Sequence, residues 1–128
     1  MSKLLLVEDD EFSRDMLSRR LTRQGFEMVV AADGREAIQA ARQHRPDLIV
    51  MDLDMPVMDG HTAIRALQND HRTFKIPIVV LSAHSSSEDV HQALAAGCRS
   101  FETKPIVLKR LLERIAEILG ADASAPGN

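Results

Sequence analysis

Four short stretches of the chain place acidic, hydroxyl or cationic side chains directly after apolar runs. Glu8, Asp9, Asp10 and Glu11 follow Leu4–Val7; Asp52, Leu53 and Asp54 follow Leu48–Met51. Ser82 and Ala83 follow Ile78–Leu81, and Thr103, Lys104 and Pro105 follow Ser100–Glu102. Carboxylates brought close together repel one another and become partly protonated unless a cation neutralises them. A cluster that offers oxygen ligands without His or Cys suits a hard ion, and Mg²⁺ is the natural choice. Mg²⁺ held by few carboxylates keeps positions for water and phosphate oxygens, so the chemistry indicated is phosphoryl transfer. An Asp can itself be the nucleophile and form an acyl phosphate, a reaction that needs mainly positioning and positive charge around the transferring group. Lys104, one of only four lysines in the chain, and the metal would supply that charge, while Ser82 would donate a hydrogen bond.

These residues act together only if the fold gathers them. The runs Leu4–Val7, Met28–Ala32, Leu48–Met51 and Ile78–Leu81, with a weaker one at Ser100–Glu102, suit strands buried on both faces. Helical spacing lies between them: Phe12, Met16, Leu17 and Leu21; Ala37, Ile38 and Ala41; Ala63, Ile64 and Leu67; Val90, Ala93 and Leu94. Asp33 is a suitable N-cap, Ser85 and Glu88 have capping-box spacing, and Gly97 is expected to stop the fourth helix. A fifth helix is expected after Pro105, with Leu108, Leu111, Leu112, Ile115 and Leu119 on one face and an end at Gly120. Five alternating βα units predict a doubly wound, flavodoxin-like α/β fold, a five-stranded parallel sheet with helices on both faces. In such a sheet every strand ends on the same edge, and sites form in the crevice beyond it. Asp52 and the other strand-end groups would therefore converge there.

Length and composition agree with this fold and exclude others. With 128 residues, 45% of them apolar and 27% charged, the chain fits one domain and falls short of the about 250 residues of an eight-unit barrel. Residues 1–120 are taken as that domain and 121–128 as a flexible tail. A net charge of −3 without Trp or Tyr argues against direct nucleic-acid binding. Cys98 stands alone, so it forms no internal disulfide and fits no paired metal spacing. No apolar stretch approaches a membrane span, and Leu4–Val7 is too short for a secretory signal, so a cytoplasmic location is expected.

Other polar residues have simpler explanations. Asp10 and Glu11 serve as caps and dipole partners at a helix start. The histidines at 44, 61, 71, 84 and 91 lack zinc spacing and suit solvated positions, although His84 follows the Ser82–Ala83 strand end. Met51, Met55 and Met58 read as packing residues near the site.

Taken together, Leu4-Leu5-Leu6-Val7-Glu8-Asp9-Asp10, Pro46 through Pro56, Met58-Asp59-Gly60, Pro77 through Ala83 and Lys104-Pro105 resemble the receiver domain of bacterial two-component response regulators, in a single-domain form like the chemotaxis regulators. The resemblance covers about Lys3 to Leu119. It implies that Asp52 accepts a phosphoryl group from a histidine kinase or histidine phosphotransfer protein, and that the domain supports its own phosphorylation and dephosphorylation. Mg²⁺ would be held by Asp9, Asp52 and the backbone carbonyl of Asp54, with Glu8 placing a metal-bound water. Lys104 would pair with the phosphoryl oxygens, Ser82 would be the switch hydroxyl, and Phe101 would occupy the aromatic switch position. By the same resemblance, Asp54 and His84 would modulate phosphoryl lifetime, and the Lys104–Pro105 bond would be cis.

Phosphorylation would then alter the surface of the fourth helix, fifth strand and fifth helix, where a downstream protein target binds. Arg99 and Ser100 depart from the acidic pattern of DNA-binding members, so their dimer is not carried over and the oligomeric state stays open. The chain ends after the fifth helix, either as a stand-alone receiver or as one cut from a longer regulator; the initial Met-Ser-Lys favours a natural N-terminus. Three alternatives stay open. Asp52-Leu53-Asp54 resembles the Asp-x-Asp motif of haloacid-dehalogenase-type phosphatases, the βα order is shared with FMN-binding flavodoxins, and a receiver-shaped adaptor would work without phosphorylation. Against the second, Glu8–Glu11 would repel a phosphate.

Overall fold

The computed structural model describes residues 2–54 and 60–123. The expected elements form in order: β1 (Lys3–Val7), α1 (Glu11–Arg23), β2 (Glu27–Ala31), α2 (Gly34–His44), β3 (Leu48–Asp52), α3 (Gly60–Gln68), β4 (Ile78–Ser82), α4 (Ser87–Ala96), β5 (Ser100–Thr103) and α5 (Leu108–Ala123). The strands make one parallel sheet in the order β2-β1-β3-β4-β5, the doubly wound arrangement predicted. The order reverses between β1 and β3, and such a switch point opens a crevice at the strands' carboxyl ends.

Burial follows from each strand's place in that order. β1, β3 and β4 are interior, and Leu4–Val7, Leu48–Met51 and Ile78–Val80 have no exposed surface. On one face, α2, α3 and α4 bury Ala37, Ala41, Ala63, Ile64, Leu67, Ala93 and Ala96 against Leu5, Ile49 and Val80. On the other, Leu21 of α1 and Leu111, Ile115 and Ile118 of α5 cover Leu4, Leu6, Val50 and Val79. Each Leu or Ile fully buried in this way contributes about 1.5–3 kcal/mol. The three central strands are the fixed floor under the site.

Where the sequence reading misplaced a residue, local context gives the reason. β2 is an edge strand with only Ala31 buried, and Val30 is exposed, so its apolar run is not covered on both faces. Phe12 and Leu94, expected on packed helix faces, are exposed. Phe12 sits in the first turn of α1, while Met16 and Leu17 of the same stripe are partly covered and Leu21 is buried. The capping box falls one residue later than predicted, on Ser86 and Asp89: Asp89 N–H donates to Ser86 Oγ at 3.1 Å, and Ser86 N–H donates to Asp89 Oδ2 at 3.2 Å. Asp33 caps α2 as expected, its Oδ1 accepting from Glu36 N at 2.9 Å. Gly97 ends α4 with φ of +121°, where a side chain would be strained and its Cβ would lie 2.7 Å from Gln68 Cγ. α5 starts at Leu108, after Pro105 as expected, and runs to Ala123, three residues beyond the expected end at Gly120.

Candidate functional site

Ladder bonds carried past the strand ends fix the site. Glu8 N donates to Ala31 O (3.0 Å), Leu53 N to Leu81 O (2.9 Å) and Lys104 N to Ser82 O (2.9 Å). Asp52 is the last residue of β3 and lies beside Leu81, while Ser82, the last of β4, pairs with Thr103. These registers bring residues from β1, β3, β4 and β5 to one edge, as the strand-end reading requires.

Glu8, Asp9 and Asp52 meet there, each offering one carboxylate oxygen within 4.8 Å of the others. Asp52 is only 2% exposed. Burial, followed by the hydrogen bond and charge of Asp52, pushes the Glu8 carboxyl up to about 8. Desolvation first and the neighbouring Asp52 second thus favour the protonated form of Glu8. Three oxygen ligands in such a cluster, with no nitrogen or sulfur donor, fit a hard divalent cation. The backbone helps to hold the cluster: Arg14 Nη1 donates to Glu8 O at 2.9 Å, and Glu8 Oε2 accepts from Asp10 N at 3.2 Å. Asp10 is the α1 cap expected, taking Ser13 N–H at 2.8 Å. Arg14 carries no signal of this role in the sequence, because its partners are carbonyls.

Lys104 reaches over the edge. Its Nζ lies 3.0 Å from Asp52 Oδ1 and 3.2 Å from Asp54 Oδ2. Partial burial disfavours its charge, but the two carboxylates outweigh that and raise its pKa above the ordinary lysine value. The Lys104–Pro105 bond is cis.

Asp54 does more than the sequence reading assigned to it. Ser82 Oγ donates to Asp54 Oδ1 at 2.9 Å, and the Ala83 N–H donates to Oδ2 at 2.9 Å. Partial burial raises the Asp54 carboxyl, yet the Ala83 N–H, the Ser82 hydroxyl and Lys104 together bring it below the usual range. Its own N–H donates to Asp52 Oδ1 at 2.8 Å. The Ala83 amide was not legible, since any residue type supplies one. Ser82 is buried, and Ser82 Oγ accepts from His84 N at 3.0 Å. The His84 side chain is exposed, like His44, His71 and His91. Phe101 is half-buried and packs against the face covered by α2, α3 and α4. Gly60 begins α3 against Leu53, whose side chain and Cα leave no room for a Cβ. The other residues of the Met55-Pro56 and Met58-Asp59 segments lie outside the described residues.

Residues 4–116 match the family model of the response regulator receiver domain. The chain belongs to this family. As a receiver of two-component regulators it is a phosphorylation-dependent signalling switch, and receivers interact with histidine kinases or phosphotransfer proteins. It is 42% identical over 120 residues to the transcriptional regulatory protein PrrA of Mycobacterium bovis, a match covering 91% of this chain and 49% of PrrA. The receiver thus spans about half the length of the curated relatives it matches first. The chemotaxis protein CheY4 of Vibrio cholerae superposes with a TM-score of 0.87 at 34% identity, covering 92% of this chain and 98% of that one. The receiver domain of the sensor histidine kinase PA1611 of Pseudomonas aeruginosa superposes at 0.86 with 29% identity over 93% and 98% of the two chains; its structure holds a magnesium ion in the active-site cleft. Among the described residues no helix of this receiver is long and apolar enough to cross a membrane.

Proposed function

We propose that Asp52 is the residue of this receiver that becomes phosphorylated, with the phosphohistidine of a kinase or phosphotransfer protein as donor. The observation that carries the reading is the buried Asp52 carboxylate, 3.0 Å from the Lys104 ammonium and beside Glu8 and Asp9. A carboxylate oxygen of Asp52 attacks phosphorus, the P–N bond to a donor imidazole protonated on its other ring nitrogen breaks, and an acyl phosphate forms as neutral imidazole leaves with that proton. Lys104 balances charge on the phosphoryl oxygens as the transition state forms. Glu8, Asp9, Asp52 and the Asp54 carbonyl would hold Mg²⁺, which when bound neutralises the carboxylates and the incoming phosphoryl oxygens. Hydrolysis of the acyl phosphate by water resets the domain, which supports its own phosphorylation and dephosphorylation without acting on a separate substrate.

The phosphoryl group adds charge of about −1.5 to −2 and three acceptor oxygens beside Ser82. Ser82 moves with those oxygens, Phe101 turns inward on β5, and the surface of α4, β5 and α5 changes for a downstream protein target. His84 follows Ser82 at the rim, where its side chain tunes water access and the lifetime of the phosphoryl group. Residues 1–120 act as this domain, in the cytoplasm and without contacting nucleic acid directly.

Incubation with a small acyl-phosphate donor, with and without Mg²⁺, followed by intact-mass measurement tests the reading. The expected result is one phosphoryl adduct that requires Mg²⁺ and is missing in Asp52→Asn. A full adduct on Asp52→Asn would falsify the assignment.

A further inference from the structure

A phosphoryl group on Asp52 needs hydrogen-bond donors and positive charge, because three strongly accepting oxygens enter a half-buried pocket. Among the described residues, the donors at this edge that reach beyond Asp52 are the Lys104 ammonium, the Ser82 hydroxyl and the Ala83 N–H. All three already reach one carboxylate, Lys104 while also contacting Asp52 at 3.0 Å. Ser82 Oγ and Ala83 N each lie 2.9 Å from an Asp54 oxygen, and Lys104 Nζ lies 3.2 Å from Asp54 Oδ2. They come from β4, the loop after it and the loop after β5, so their convergence is a product of the fold and not of local sequence. Asp54 is also tied to Asp52 through its own N–H, 2.8 Å from Asp52 Oδ1, which holds its side chain beside the acceptor.

Resting on the assignment of Asp52 as acceptor, we infer that the Asp54 carboxylate is a built-in stand-in for the phosphoryl group, occupying its donors in the unphosphorylated protein and having to be displaced before they can hold it. Asp54 is thus a positioning residue that sets the threshold of the switch. The dianionic phosphoryl group competes well against a single carboxylate for an ammonium and two neutral donors, but it must break three contacts to gain them. Once displaced, the Asp54 carboxylate also stays close enough to repel it. The side chain can be changed without removing the Asp54 backbone carbonyl assigned to the metal.

Beryllium fluoride, a non-covalent phosphoryl analogue, gives the test when titrated at fixed Mg²⁺ into the full chain, with affinity and the Ala83 amide followed by NMR. Asp54→Ala is expected to bind the analogue about tenfold more tightly than the wild-type sequence. Asp54→Asn, which keeps one acceptor oxygen for Ser82 or Ala83, is expected to fall between them. Before any fluoride or Mg²⁺ is added, the Ala83 amide is expected to exchange about tenfold faster in Asp54→Ala than in wild type. Equal or weaker affinity in Asp54→Ala overturns the inference, as does an equal gain in both variants, the mark of charge repulsion alone. Unchanged Ala83 exchange overturns it as well. If the wild-type protein binds no analogue, the assignment of Asp52 fails, and Ala83 exchange still judges the Asp54 contacts separately.

Discussion

Glu8 shows how one side chain reports on the whole acid cluster. Its carboxyl, ordinarily at 4.5, is pushed up to about 8 by burial first and by Asp52 second. A folded-state value above the unfolded one favours folding of the protonated form, so this contribution is complete below about pH 4.5 and is lost as pH rises through about 8. A divalent ion reverses the preference because it binds the ionised carboxylate and releases the proton. Without metal, the melting temperature should fall between pH 5 and pH 8, and saturating Mg²⁺ should remove much of that fall. Its stabilising effect should therefore be larger at pH 8 than at pH 5. Thermal scans at both pH values with and without Mg²⁺ check this, and an Mg²⁺ increment that does not grow with pH would show that Glu8 does not face the ion.

At this scale the sequence made side-chain chemistry legible and backbone chemistry illegible. Asp52 and Ser82 stood out because each is a polar residue closing a buried apolar strand, and Lys104 because it follows the fifth strand at the same edge. The Ala83 N–H and the Glu8 and Asp9 carbonyls that Arg14 contacts could not stand out, since every residue carries such groups. Asp54 was legible as an extra carboxylate, but its three donors come from residues 28 or more positions away.

Among the elements, the alternation of strand and helix was read from period alone, and the caps Asp33 and Gly97 did what their residue types allow. Boundaries were harder. Ser85, Ser86 and Ser87 run consecutively into the start of α4, and only the geometry at Ser86 and Asp89 decides which one caps it. The exposure of Val30 depended on β2 being an edge strand, which no local pattern encodes. Gly97 gives a prediction at this scale. Its φ of +121° and the nearness of Gln68 mean that Gly97→Ala should destabilise the domain by about 1–3 kcal/mol. Because α4 ends at the opposite edge of the sheet from Asp52, Mg²⁺ affinity should change little. Denaturant unfolding and a metal titration on the same variant separate the two effects, and an unchanged unfolding midpoint would show that the position tolerates a side chain.

For the molecule as a whole, the switch reading requires a link between the phosphorylation pocket and a surface made by α4, β5 and α5. Ser82 and Phe101 are the proposed link: Ser82 ends β4, and Phe101 of β5 is half-buried and pairs with Val80 of β4. On the proposed reading the signal would be a shift between two arrangements of the same packed elements. Hydrogen exchange across 87–119 should therefore change on phosphorylation with Mg²⁺, and Ser82→Ala should become phosphorylated with much of that change lost. An equal change in Ser82→Ala would reject Ser82 as the link. The doubly wound architecture was legible because each interior strand is an unbroken apolar run. The coupling was not, because it depends on which side chains face one another across separate strands.

Asp52 is proposed to carry the phosphoryl group alone, although Asp9 and Asp54 lie close by. Borohydride reduces an aspartyl phosphate to homoserine, so peptide mass spectrometry after reduction reads the acceptor position directly. The prediction is homoserine at position 52, formed only when Mg²⁺ was present during phosphorylation. Homoserine at position 9 or 54, with Asp52 intact, would contradict the account.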